Sequence, residues 1–236
     1  MQKNKRHRKM LIPSGMPVLM YIITNKIELC WLGTMTYFNL DDTFGAFGHN
    51  FADLSDSILK SGFMFAADNV KISLKSTPGT LGCLEGDIGA PIGPITAGSE
   101  AGFFGGCISE MAQPDCEPVP IGFWFEVVPG TAQIICSVTG KPEYYDIEVL
   151  KSESFTEFVV KMTDTKLLTL TGGFLEGMSG SPIIQNRKLI GALRMTIYQD
   201  PRIGTAIYIS EMFMSHLGSI NSRLRETRSR KGNKTK

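Results

Sequence analysis

The sequence predicts a mostly antiparallel all-β fold, a sandwich or barrel that ends in one helix. Three observations predict it. Short apolar runs rich in β-branched and aromatic residues recur about every ten residues. The 25 glycines and 12 prolines are spread along the chain and punctuate those runs. Helical spacing of apolar residues is met only late, in "EMFMSHLGSINSRLRET".

Residues 17–38, "PVLMYIITNKIELCWLGTMTYF", read as two strands joined by a turn at Thr24-Asn25-Lys26. "NLDDTFGAFGHNFADLSDS" reads as a turn, a short glycine-broken apolar piece and a polar stretch. "VKISLK" at 70–75 alternates as a half-buried strand does. The glycine-rich stretch from Thr77 to Gly106 predicts short strands and tight turns. "VPIGFWFEVVPG", "TAQIICSVTG", "YYDIEVLK" and "FTEFVVKMTD" predict four more strands. "KLLTLTGGFLEGMSGSPIIQNRKLIGALRMTI" predicts strand, loop, strand, turn at Asn186-Arg187, and strand, with "IGTAIYIS" as a further strand. The organisation predicted is a basic N-terminal segment over 1–16, one domain over 17–220, and a basic tail over 221–236.

A net charge of +1 gives no electrostatic case for nucleic acid. The five cysteines, Cys30, Cys83, Cys107, Cys116 and Cys136, show no C-x-x-C pair, which argues against a zinc site. They read as isolated small hydrophobes, with one disulfide open to an exported chain. No apolar run is long enough to read as a membrane-spanning helix. "MQKNKRHRKM" followed by "LIPSGMPVLMYIIT" is basic then apolar, but Pro13, Gly15 and Pro17 make it a poor export signal. The basic head suits contact with an anionic membrane surface.

The stretch with chemical content is "EGMSGSPII", residues 176–184. A nucleophilic serine needs an exposed hydroxyl and a backbone that comes close to the substrate carbonyl, and flanking glycines provide both. The N–H groups of Gly177 and Ser179 are spaced to form an oxyanion hole. Gly-x-Ser-Gly alone is weak, because glycine and serine are also turn residues. A serine hydroxyl needs a base. Of the three histidines, His7 lies in the basic head and His216 in the terminal helix. His49, in the glycine-bracketed "FGAFGHNFAD", is the best placed.

"GTMTYFNLDDTFGAFGHNFADLSD" and "VVKMTDTKLLTLTGGFLEGMSGSPIIQNRKLIGAL" resemble the two signature regions of the SpoIVB-type serine peptidases, the stage IV sporulation protein B family, and "GTAQIICSVTGKPEYYDIEV" falls between them in the family's order. The resemblance covers roughly residues 33–211. It implies a chymotrypsin-like double β-barrel. It also implies a serine endopeptidase with His49 as base, Asp164 of "TDTKLL" as the orienting acid and Ser179 as nucleophile. The order His, Asp, Ser is that of the chymotrypsin group. Asp53 and Asp56, just after His49, are rival acids. No metal or organic cofactor is implied.

By resemblance the substrate is a protein, the regulatory subunit of a membrane-embedded protease complex. Its cleavage triggers processing of a late sporulation sigma factor between mother cell and forespore, and self-cleavage is expected too. Two departures stand out. "LIPSGMPV", which resembles the segment before the family's PDZ domain, passes almost directly into the peptidase region, leaving no room there for a PDZ domain of about 80–100 residues. Arg194 and Met195 stand where the family usually has Thr-His. The rival expectation is a catalytically inactive binding or regulatory module that keeps the fold.

Overall fold

The computed structural model describes residues 10–23, 28–47, 62–74, 81–108 and 117–219. Its first half begins with strand β1 (Met10–Pro13), β2 (Pro17–Ile23), β3 (Glu28–Phe38) and β4 (Thr43–Ala46). It continues through β5 (Gly62–Ser73), β6 (Cys83–Ser99), β7 (Gly102–Gly106) and the two-residue β8 (Val119–Pro120). All pairings among them are antiparallel, and the strand order is β2-β5-β6-β7-β4-β3-β1-β8. The additional pairing of β2 with β3 closes β2 through β7 into a barrel. β1 is part of this sheet, with Leu11 fully buried, so the fold starts before the boundary expected at residue 17.

The second half supplies β9 (Gly130–Cys136), β10 (Glu143–Val149) and β11 (Glu157–Met162). Helix α1 (Thr165–Thr171) follows, then β12 (Pro182–Gln185), β13 (Lys188–Thr196) and β14 (Ile203–Tyr208). These strands form a second closed barrel, β10-β11-β14-β13-β12-β9. A helix over 209–219, α2, follows as expected.

Each barrel has its own core. Phe38, Phe44, Phe103, Met20, Met35 and Ile92 fill the first; Ile134, Ile147, Val160, Phe158 and Ile183 fill the second. A third cluster joins them, where Tyr37 and Phe104 of the first barrel meet Leu189, Ala192, Met212 and Phe213. His216 is consumed here. Its Nδ1 lies 3.0 Å from the Tyr37 hydroxyl, and its ring stacks on Phe104 at 4.7 Å.

Three expected elements differ. Thr77 to Gly106 is dominated by one 17-residue strand, β6, not by short strands. Its glycines and prolines bend it without ending it, and the register against β5 shifts at three places. Phe123–Phe125 is not strand. Trp124–Glu126 is a 3-10 turn whose Phe123 N–H is capped by the Glu126 carboxylate. Its rings are exposed and contact one another and Phe155. "TKLLTLT" is helix, not strand. The Asp164 side chain caps its start, and Gly172, at φ 72°, ends it in the left-handed conformation that glycine adopts without strain. Asn186 and Arg187 form the expected turn, both at positive φ.

Candidate active site

The Ser179 loop leaves α1 and enters β12. Two glycines shape it, each at φ +95°. A Cβ on Gly180 would lie 2.1 Å from the Thr34 carbonyl oxygen, and one on Gly177 2.7 Å from Leu32. Only glycine lets the loop lie this close to the first barrel.

The loop is tied down through its carbonyls. Strand β3 presents Thr34 and Thr36, both buried, on one face. The Thr34 N–H donates to the Ser179 carbonyl at 2.8 Å, and the Thr34 hydroxyl to the Gly177 carbonyl at 3.1 Å. The Thr36 hydroxyl donates to the Gly180 carbonyl at 2.8 Å. From the second barrel, Leu193 binds both sides of the loop. Its carbonyl accepts from Gly180 N–H at 2.7 Å and its N–H donates to the Ser181 carbonyl at 2.9 Å.

Among the described residues, the N–H groups of Gly177 and Ser179 donate no hydrogen bond. Two adjacent unspent donors beside a serine are what an oxyanion hole requires. The Ser179 hydroxyl is half-buried and donates to the Arg194 carbonyl at 3.1 Å. The Arg194 guanidinium turns away to Glu157, 3.1 Å distant.

Ser179 lines a cleft of about 390 Å³ between the barrels. Trp31, Leu32, Phe47, Leu81 and Leu84 line it from the first barrel, Leu175, Met195 and Tyr198 from the second. The walls are mainly apolar, with Glu176 and Arg194 as the charged residues. Leu84 belongs to β6 yet is buried in the second barrel's core. Beside it, the Leu84 N–H donates to the Glu176 carbonyl at 2.8 Å and the Glu176 N–H to the Gly82 carbonyl at 3.0 Å.

His49, Asp53 and Asp56 lie outside the described residues. The described chain reaches Phe47, which lines the cleft and donates its N–H to the Thr34 carbonyl at 3.1 Å. Asp164 is not brought to the cleft. Its Oδ1 accepts from Leu167 N–H at 2.9 Å and its Oδ2 from Asp146 N–H at 3.3 Å, so both oxygens serve the start of α1 and the edge of β10. Thr34, Thr36 and Leu84 were not singled out from the sequence. Thr-x-Thr in "GTMTYF" is a signal for one shared strand face, whereas the Leu84 bond is made by backbone and leaves no signal.

No group of three or more metal-ligating side chains lies among the described residues, nor does a helix long and apolar enough to cross a membrane. Cys30, Cys83, Cys107 and Cys136 are free thiols, and burial pushes the Cys136 thiol up to about 12.

The family model described as SpoIVB peptidase S55 matches residues 21–213. No curated protein matches the chain. Among solved structures, the active form of the Rv3671c protease from M. tuberculosis is similar at a TM-score of 0.52 and 12% identity, covering 88% of this chain and 82% of that one. A scabies mite inactivated protease paralogue, S-I1, is similar at 0.51 and 10% identity, covering 89% and 95%. A second paralogue, S-D1, reaches 0.51 at 9% identity, covering 87% and 91%. At these identities the likeness is one of fold, and the fold is shared by active and inactivated proteins alike.

Proposed function

The chain belongs to the SpoIVB peptidase S55 family and is a serine endopeptidase, and on that premise we propose that Ser179 is its nucleophile and His49 its general base. The observation that carries the assignment of Ser179 is the pair of unspent N–H groups, on Gly177 and on Ser179 itself, at the cleft. In this reading His49 accepts the Ser179 proton as the hydroxyl attacks the scissile carbonyl. It then gives that proton to the leaving amine, and water releases the acyl group by the same route. The two N–H groups stabilise the oxyanion, and one such donor is worth roughly 3 kcal/mol. For the carboxylate that orients His49, Asp53 is favoured over Asp164. Both Asp164 oxygens already accept from backbone N–H groups, and Asp53 follows His49 closely in sequence.

The finer reading rests on the family match alone. The substrate is a protein, the regulatory subunit of a membrane-embedded protease complex. Cleavage activates sigma-factor processing during sporulation, outside the cytoplasm, and the enzyme also cleaves itself. Separately, the charge of the basic head (residues 2–9) supports peripheral contact with an anionic membrane surface.

Labelling with a fluorophosphonate tests the core of the proposal. The wild type is expected to label, and both Ser179→Ala and His49→Ala to lose labelling while staying folded. A folded wild type that does not label supports the second reading, a non-catalytic binding module. One observation favours that reading: the Ser179 hydroxyl donates to the Arg194 carbonyl.

A further inference from the structure

Gly177 contributes one of the two oxyanion donors, and the direction of its N–H is set by the peptide plane between Glu176 and Gly177. Glycine at φ +95° leaves that plane soft, because no Cβ resists its rotation. Within the Ser179 loop nothing holds it: the Glu176 carbonyl has its partner elsewhere, on β6 of the other barrel. There the Leu84 N–H donates to it at 2.8 Å, and the Gly82 carbonyl accepts the Glu176 N–H at 3.0 Å. The two bonds make Cys83 and Glu176 a parallel bridge between the barrels.

The described chain has no cis peptide. In a trans peptide the carbonyl and the N–H point to opposite sides. A Glu176 carbonyl held against β6 therefore turns the Gly177 N–H away from β6, and free of any acceptor. The β6 end is itself anchored. The Leu84 side chain is 6% exposed and packs into the second barrel's core, together with Leu32, Val70 and Ile72.

We propose that the start of strand β6, through the Leu84 N–H, is a positioning element that holds the Gly177 amide in its oxyanion-binding orientation. The first barrel thus sets the electrophile-binding half of a site whose nucleophile sits on the second. This rests on the endopeptidase reading. Loss of the bond frees the 176–177 plane to rotate, which withdraws one donor while Ser179 stays in place, its carbonyl held by the Thr34 N–H and its neighbours Gly180 and Ser181 held by Leu193.

The test deletes one N–H. Leu84 is replaced by its α-hydroxy analogue, leucic acid, which turns its amide into an ester. The same replacement at Leu150, whose N–H donates to the Val159 carbonyl at 2.8 Å outside the cleft, is the control. Both esters lose one backbone hydrogen bond of equal length, so thermal midpoints report the shared structural cost. The rate of fluorophosphonate labelling reports the oxyanion site. The Leu84 ester is expected to label about 10-fold or more slowly than wild type, and the Leu150 ester within about twofold, with both folded. Equal labelling rates for the two esters would overturn the proposal. If the wild type itself does not label, the endopeptidase reading has failed, and the Gly177 amide resonance decides the positioning claim separately. It should move in the Leu84 ester and not in the Leu150 ester; an unmoved resonance in the Leu84 ester rejects it.

Discussion

The two barrels solve the same closure problem with opposite materials. The second is built from side chains: Ile134, Ile147, Val160, Phe158 and Ile183 alternate inward, and the β9–β10 pairing runs without a slip from Gly130↔Val149 to Cys136↔Glu143. The first depends on missing side chains. β6 bends through Gly86, Gly89 and Gly93, its register shifts repeatedly, and Pro91 and Pro94 sit opposite Phe65 and Phe63. At Gly93 a Cβ would stand 1.8 Å from the Gly106 carbonyl oxygen. A regular barrel can present a preset loop, while an irregular one can reach across a cleft, and the site draws on both.

The largest effect should fall on that contrast. Gly93→Ala adds one carbon against backbone that has no flexible end to yield, and should cost about 4 kcal/mol or more. Ile134→Ala removes three carbons from the regular barrel and should cost about 3 kcal/mol. Thermal or denaturant unfolding of the pair measures the order. Ile134→Ala as the more damaging change would break the comparison.

A smaller effect sharpens it within the second barrel. Asp164→Ala should lose about 1 kcal/mol of stability as a helix cap is removed. Fluorophosphonate labelling of the folded protein should persist. Abolished labelling in Asp164→Ala with labelling kept in Asp53→Ala would return Asp164 to the catalytic set.

The smallest effect is at the surface. The Lys166 ammonium, bonded to Glu143 at 2.6 Å, and the Thr139 hydroxyl hold the Glu143 carboxyl down at about 2. A carboxyl depressed in the folded state contributes stability that is present above its ordinary range. That contribution is lost as pH falls towards 2. Glu143→Gln should therefore flatten the pH dependence of the thermal midpoint between about pH 4.5 and 2 and leave pH 7 labelling unchanged.

Much of the second barrel was legible because alternation survives in its strands, and the loop at Ser179 because glycines bracket it. The first barrel was harder. Glycine and proline in β6 carry the same letters as a run of turns, and only long-range pairing shows that the chain continues. "TKLLTLT" misled through its β-branched threonines. The cap at Asp164 and the αL glycine at 172 outweigh their propensity. Asp164 caps this helix, and a sequence pattern alone does not separate a capping residue from a catalytic acid. "IGFWFE" reads as strand by composition, yet a single glutamate closing back on Phe123 N–H makes a turn of it, though the match is written in the sequence only as spacing.

Thr34, Thr36 and Gly82 to Leu84 all reach the serine loop from the other half of the molecule. The loop's shape is therefore a property of the seam, not of either barrel. Separating the halves would break those bonds together with the Leu84 packing in the second core and the cluster that joins the barrels, so the loop's shape and the seam's burial stand or fall as one.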